Sequence, residues 1–332
     1  MSRFGLIGTI TQDHIIVEDG PPLRNLGGIL YQAAVLCGLG EDVELFSNCG
    51  DDLRTDVDAL VGGWRTLRRE GVTYVPGAGN QVHLRYSERL KEREEVLASV
   101  VPPLAPEPVL AALPRLDMLL MVFNSGFELR REDWRRIVAA ERRDIWLDVH
   151  SFVLARLVGA HRDYVSAPDW RDWIAGVSYL QANRQEVASL RGHPERWPTR
   201  PEIESFAVQA FEIGVRAVFV TLGKDGVLLL TPGAAGRAGA LPHPAARHIQ
   251  APAAERVVDT TGCGDVFCAA AMRLLARGAP VDRAAEEGVA LASKAVGLAG
   301  IAETFALTAS LAPPRPAAPA KAPRKPRRRA EK

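Results

Sequence analysis

The densest chemistry in the chain lies in Val257-Val258-Asp259-Thr260-Thr261-Gly262-Cys263-Gly264-Asp265-Val266-Phe267. Two β-branched residues lead in, two glycines flank a small residue, an acid follows, and a helical pattern (VFCAAAMRLLARG) begins. A loop that opens a helix presents unpaired N–H groups and partial positive charge, and so holds anions. Gly262 and Gly264 remove the side chains that would keep a phosphate away from the backbone. A carboxylate at such a site repels phosphate, so Asp265 needs a separate reason to be there. Proton abstraction from a hydroxyl that attacks the phosphate supplies one. The same aspartate also fits a helix cap after a glycine turn.

Other polar residues fall where strands should end. Arg3–Thr9 reads as a strand, and Asp13 lies just past its carboxyl end, the edge where open parallel sheets bind ligands; a plain loop aspartate reads the same way. Gly27 and Gly28 precede the apolar helical stretch YQAAVLCGLG and allow close backbone approach. Asp148 and His150 close the strand DIWLDVH. Asn183 and Glu186 stand three apart at the start of a helix. Magnesium takes oxygen ligands and keeps several waters, so one nearby carboxylate suits it; the same pair spells a capping box. Thr221, Gly223 and Gly226 line a turn with room for a base or a phosphate, and equally form a glycine hairpin.

The run D-T-T-G-C-G-D resembles the C-terminal signature D-T-x-G-A-G-D of the ribokinase (PfkB-type) family of carbohydrate kinases, with Cys263 in place of alanine. The Gly27-Gly28 pair resembles the family's N-terminal signature, except that Gln32 replaces an asparagine that faces the substrate. Asn183-x-x-Glu186 is similar to the family's N-x-x-E, and Val220–Gly226 to its V-T-L-G-x-x-G. The resemblance implies a three-layer α/β/α ribokinase-like fold with a mostly parallel central sheet and a small β lid. The kinase domain would be residues 1–310, with lid segments at about 14–24 and 72–101.

The implied reaction is transfer of the γ-phosphoryl of ATP to a hydroxyl of a small polyol: a sugar, an inositol-like ring or a nucleoside. Asp265 would be the base, with the N–H groups of Gly262, Cys263 and Gly264 facing the transferred phosphoryl. Asp13, Gly27, Gly28 and Gln32 would face the acceptor. Asn183, Thr221, Gly223, Gly226 and Thr261 would hold the nucleotide, and Glu186 would order Mg²⁺. A helix-borne asparagine that contacts the nucleotide in much of the family is replaced by Val289. A non-catalytic nucleotide- or sugar-binding protein on the same fold is the rival reading. Gln32 and Val289 favour it, and the intact Asp265 counts against it. A homodimer stays open.

These residues must be positioned by an extended scaffold. The 332 residues suffice for one large or two ordinary domains, and 47% hydrophobic with 24% charged residues is a globular composition. No apolar run approaches the ~18 residues of a membrane span, and the N-terminus reads as a first strand rather than a signal peptide. Four cysteines without C-x-x-C point to a reducing, cytoplasmic setting. There is no H-E-x-x-H, no Walker sequence and no G-x-G-x-x-G after a strand, which disfavours zinc sites and dinucleotide enzymes. Residues 311–332 hold eight Lys/Arg and one Glu among Pro and Ala, which leaves residues 1–310 at net −6. That tail reads as disordered, with weak attraction to anionic surfaces and no specific nucleic-acid partner.

Alternating strands and helices predict a parallel sheet. The expected elements include a strand over Asp42–Ser47, a helix from Leu53 to Glu70, a buried strand over Leu116–Phe123 and a helix over Arg131–Arg142. A helix over Ile203–Glu212 follows, then the hairpin after Ala217–Thr221, and a last helix capped by Asp282.

Overall fold

Apolar runs of about five residues, each followed by polar residues and a helix, set the architecture. The structure, a computed structural model, describes residues 1–17, 23–86, 94–141, 143–233 and 244–312. In chain order the first half contains β1 (Arg3–Ile7), β2 (Ile10–Val17), β3 (Leu23–Gly28), α1 (Leu30–Gly38), β4 (Asp42–Gly50), α2 (Arg54–Val61), β5 (Leu67–Val75), β6 (Asn80–Tyr86), β7 (Glu94–Ser99), α3 (Glu107–Ala112), β8 (Met118–Val122), α4 (Arg131–Ala140) and β9 (Asp144–Asp148). The second half contains α5 (Trp170–Ile174), β10 (Tyr179–Asn183), α6 (Arg184–Leu190), α7 (Arg200–Glu212), β11 (Ala217–Thr221), β12 (Val227–Thr231), β13 (Ala245–Ile249), α8 (Cys263–Leu275), α9 (Val281–Ala295) and α10 (Gly300–Leu311).

Nine strands form the main sheet in the order β13-β12-β11-β10-β9-β8-β1-β4-β5. The pairs from β11 through β5 are parallel, and β12 and β13 add an antiparallel edge. Side chains alternate across it. Phe4, Leu6, Leu120 and Phe219 pack with α1, α8 and α9 on one face. Ile7, Leu119, Met121 and Val218 pack with Trp134, Ile137 and Phe206 of α4 and α7 on the other. This is the expected three-layer α/β/α arrangement. No helix among the described residues is long and apolar enough to cross a membrane.

A second sheet, in the order β3-β2-β6-β7, stands apart as the lid. Its free edge is covered by the segment after β9. Val96 bridges to His161, the Gly159 N–H donates to the Leu97 carbonyl (2.8 Å), and the Arg162 N–H donates to the Glu95 carbonyl (3.0 Å).

Several sequence expectations are corrected. The helix expected from Leu53 to Glu70 ends at Val61, and Leu67–Val75 is an edge strand whose Arg68 and Glu70 point outward. Residues 72–75 therefore belong to the main sheet and not to the lid. Asp13 lies inside lid strand β2 rather than in a loop. Asp282 does not cap α9, whose N-cap is Pro280; its carboxylate pairs with Arg247 at 3.0 Å. A further helix, α10, follows α9 and packs against α1. The basic tail beyond residue 312, and the charged run 87–93, lie outside the described residues.

Candidate active site

The carboxyl ends of β8 to β11, the lid and the start of α8 enclose two cavities that meet at Asp265. The larger, about 710 Å³, is lined by Asn183, Glu186, Thr221, Gly223, Lys224 and Thr261, among others. The smaller, about 70 Å³, lies under the lid and is lined by Asp13, Gly28, Tyr31, Glu95, Asn124 and His150, among others. Asp265, Gly262, Thr261, His150 and Glu95 line both. Asp265 is in the first turn of α8, beside the N–H groups that have no acceptor within the helix.

The loop before α8 is built by its glycines. Gly262 has φ of 79°, a left-handed conformation that a side chain strains, and a Cβ there would lie 2.5 Å from the Tyr31 ring. A Cβ at Gly264 would meet only Gln181 Nε2, at 3.5 Å. The Cys263 N–H closes a turn onto the Thr260 carbonyl at 3.3 Å. Burial first, then Asp259 and Asp265, push the Cys263 thiol up to about 12. It stays protonated at neutral pH and is a poor nucleophile. The Thr261 N–H donates to Asp259 Oδ1 at 2.8 Å, which fixes the turn.

At the larger cavity, Asn183 and Glu186 form the capping box of α6. Glu186 N donates to Asn183 Oδ1 (2.8 Å), while Asn183 N and Nδ2 donate to Glu186 Oε2 (2.8 Å) and Oε1 (2.6 Å). The box and a role at the cavity are thus compatible, since Glu186 lines the wall as well. Among the described residues no group of three or more His, Cys, Asp or Glu side chains is arranged to hold a metal. Glu186 offers one carboxylate on the cavity wall, and magnesium takes oxygen ligands and keeps several waters. Thr221 and Gly223 line the cavity, and Gly223 has open space around it. Gly226 does not line it among the described residues. Its φ is +89° and its Cβ would lie 2.1 Å from the Ile249 carbonyl, so its role is to turn the β11–β12 hairpin.

The lid side differs more from expectation. Gly27 lies against Asp13, where a Cβ would come within 2.2 Å of Asp13 Oδ2. Gly28 has φ of 63° and closes on the Thr9 carbonyl. Both glycines therefore make room for neighbouring protein atoms, and Gly28 also lines the cavity. Asp13 is buried and accepts from Thr11 Oγ1 at 2.7 Å. Gln32 is the correction. It does not line the smaller cavity; it is wholly buried, and its Nε2 donates to Asp265 Oδ1 at 2.5 Å. The length of the glutamine carries its amide to the carboxylate. Val289 is likewise buried in the helix layer, away from both cavities.

Sequence reasoning placed Asp148 and His150 at a strand end without their partners, and missed Gln181 and the Glu95–Arg162 pair. Gln181 Nε2 donates to Asp148 Oδ2 (2.9 Å) and to the Gly264 carbonyl (3.1 Å), tying β10 to the α8 loop. Burial, then Glu186 and Asp265, raise the Asp148 carboxyl well above its usual range. His150 has φ of 36°, strained for a non-glycine residue, and its Nδ1 lies 2.9 Å from Ser151 Oγ. Glu95 and Arg162 form a buried ion pair at the join of the two cavities. Only His150 and Asp148 carried a signal, at the end of an apolar strand.

Residues 156–306 match the pfkB family carbohydrate kinase. None of the curated proteins matches the chain. Among solved structures it is similar to the ribokinase of Arabidopsis thaliana complexed with ribose and ATP, at 17% identity and TM-score 0.67 over 93% of this chain and 98% of that one. It is similar to ribokinase from Giardia lamblia at 16% identity and TM-score 0.70, over 92% and 95% of the two chains. The Burkholderia thailandensis nucleoside kinase in complex with inosine follows at 18% and 0.66, over 93% and 98%. The family match covers residues 156–306, and the fold around it is ribokinase-like.

Proposed function

We propose that the chain is an ATP-dependent kinase that phosphorylates a hydroxyl of a small uncharged polyol, a sugar or a nucleoside. The observation that carries this reading is the place of Asp265: in the first turn of α8, at the meeting point of a large and a small cavity. A carboxylate there reaches an acceptor on one side and the anion-binding loop on the other.

In this reading Asp265 takes the proton from the attacking hydroxyl. The N–H groups of Gly262 and Gly264 stabilise the charge that develops on the transferred phosphoryl. Asn183, Thr221, Gly223 and Thr261 line the nucleotide side, with Lys224 and Arg184 supplying positive charge. Magnesium, when bound near Glu186, neutralises the polyphosphate. The supporting family match and the relatives solved with ribose and ATP or with inosine point the same way.

The acceptor's charge follows from the small cavity. Its described lining includes Asp13 and Asp265, with Glu95 paired to Arg162, and no Lys or Arg. A phosphorylated or carboxylated acceptor would be repelled, whereas hydroxyls donate to these carboxylates. The test is ADP release from ATP-Mg against neutral sugars, polyols and nucleosides alongside sugar phosphates. Turnover confined to neutral acceptors is expected, and turnover only with sugar phosphates would overturn the acceptor assignment.

A further inference from the structure

Gln32 is wholly buried and spends its amide on Asp265. Two amide orientations are chemically available, and only one puts a donor on the carboxylate; the other sets oxygen against oxygen. The orientation adopted leaves Gln32 Oε1 buried with no hydrogen-bond partner among the described residues. A buried carbonyl left in that state is unfavourable. The amide's hydrogen bond to Asp265 is thus its one polar contact among the described residues.

The terminal torsion of an aspartate is broad, and a donor fixed on a neighbouring helix sets the carboxylate plane. The bond from Gln32 comes from α1, across the loop from α8, and joins two rigid helices that pack against each other. Tyr31, the preceding residue, lies against Gly262 in the same loop.

We propose that Gln32 is a positioning residue for Asp265: it fixes the orientation of the carboxylate and favours its ionised form, and it does not read the acceptor. The inference rests on the kinase reading for its catalytic consequence, but the hydrogen bond stands on geometry alone. A residue that contacts the acceptor changes KM; one that orients the base changes kcat.

The test pairs turnover with a measurement that needs no turnover. Gln32→Met keeps the volume and removes the donor, and Gln32→Asn keeps an amide that is one methylene short. Both should lower kcat by about 100-fold while acceptor KM and ATP-Mg affinity stay within about twofold. Separately, the Asp265 carboxyl titration is followed by carbon NMR in the magnesium-free full chain, assigned with Asp265→Asn. Asp148, Tyr31, Cys263 and Cys268 act on the same carboxylate and are unchanged in these variants. Loss of a donor to the ionised form should move the midpoint to higher pH in Gln32→Met. A raised acceptor KM with kcat retained, or an unmoved Asp265 midpoint, would overturn the inference. A wild-type chain that turns over no acceptor would count against the kinase reading, and the titration would still decide the role of Gln32.

Discussion

Arg162 reaches under the lid and pairs with Glu95 of β7, with side-chain exposures of 1% and 6%. Its Nη1 also donates to the Ser125 carbonyl at 2.6 Å. One ion pair therefore ties the lid, the segment after β9 and the loop after β8 together where the two cavities meet. Removing one partner leaves the other charged in a dry site. Arg162→Met should cost about 3–5 kcal/mol, read as a lower urea midpoint. Adding Glu95→Gln to it should recover part of that loss. An unchanged midpoint in Arg162→Met would contradict the pair's role.

The buried Asp148 carries a prediction in pH. Its carboxyl is raised above the ordinary 3.8, by burial and then by Glu186 and Asp265. The folded chain keeps this proton where the unfolded chain has released it. This group therefore lowers stability as pH rises above its unfolded value. Asp148→Asn keeps an acceptor for Gln181 Nε2 and removes the titration. In ligand-free protein, its stability gain over the wild type should grow between about pH 4 and pH 7. A gain that does not change with pH would contradict the assignment.

The two loop glycines separate folding from function. Gly262→Ala forces a side chain into a left-handed conformation and against Tyr31, so it should destabilise by about 1–3 kcal/mol and lower activity together. Gly264→Ala meets only Gln181 Nε2 at an ordinary distance. It should melt no lower than wild type, since alanine favours a helix. Its methyl would still stand at the proposed phosphoryl site, so ADP release should fall at least about tenfold. Full activity in Gly264→Ala would argue that the α8 N–H groups do not face the transferred group.

What the sequence disclosed follows physical range. The Asp259–Asp265 loop and the Asn183–Glu186 box are local in sequence, so their residue types and spacing were legible even though Gln32 and Gln181 reach the loop from far along the chain. The buried strands around Leu119 and Val218 were legible because both of their faces are covered. Leu67–Val75 was not, because an edge strand with Arg68 and Glu70 outward has the charge density of an exposed helix. Glu95 sits in a charged run that reads as surface, and its partner Arg162 is 67 residues away. Gln32 and Asp265 are 233 apart. A departure at Gln32 could be seen in the sequence, but its target needs the packing of α1 on α8.

The central claim is that Asp265 serves as the base of a phosphoryl transfer to a hydroxyl. The most direct test is ADP release from ATP-Mg with the panel of neutral polyols, run for wild type and Asp265→Asn, with ATP binding measured in both. The account expects turnover with at least one acceptor, a loss of about 100-fold or more in the variant, and ATP binding retained. Full turnover by Asp265→Asn would contradict it.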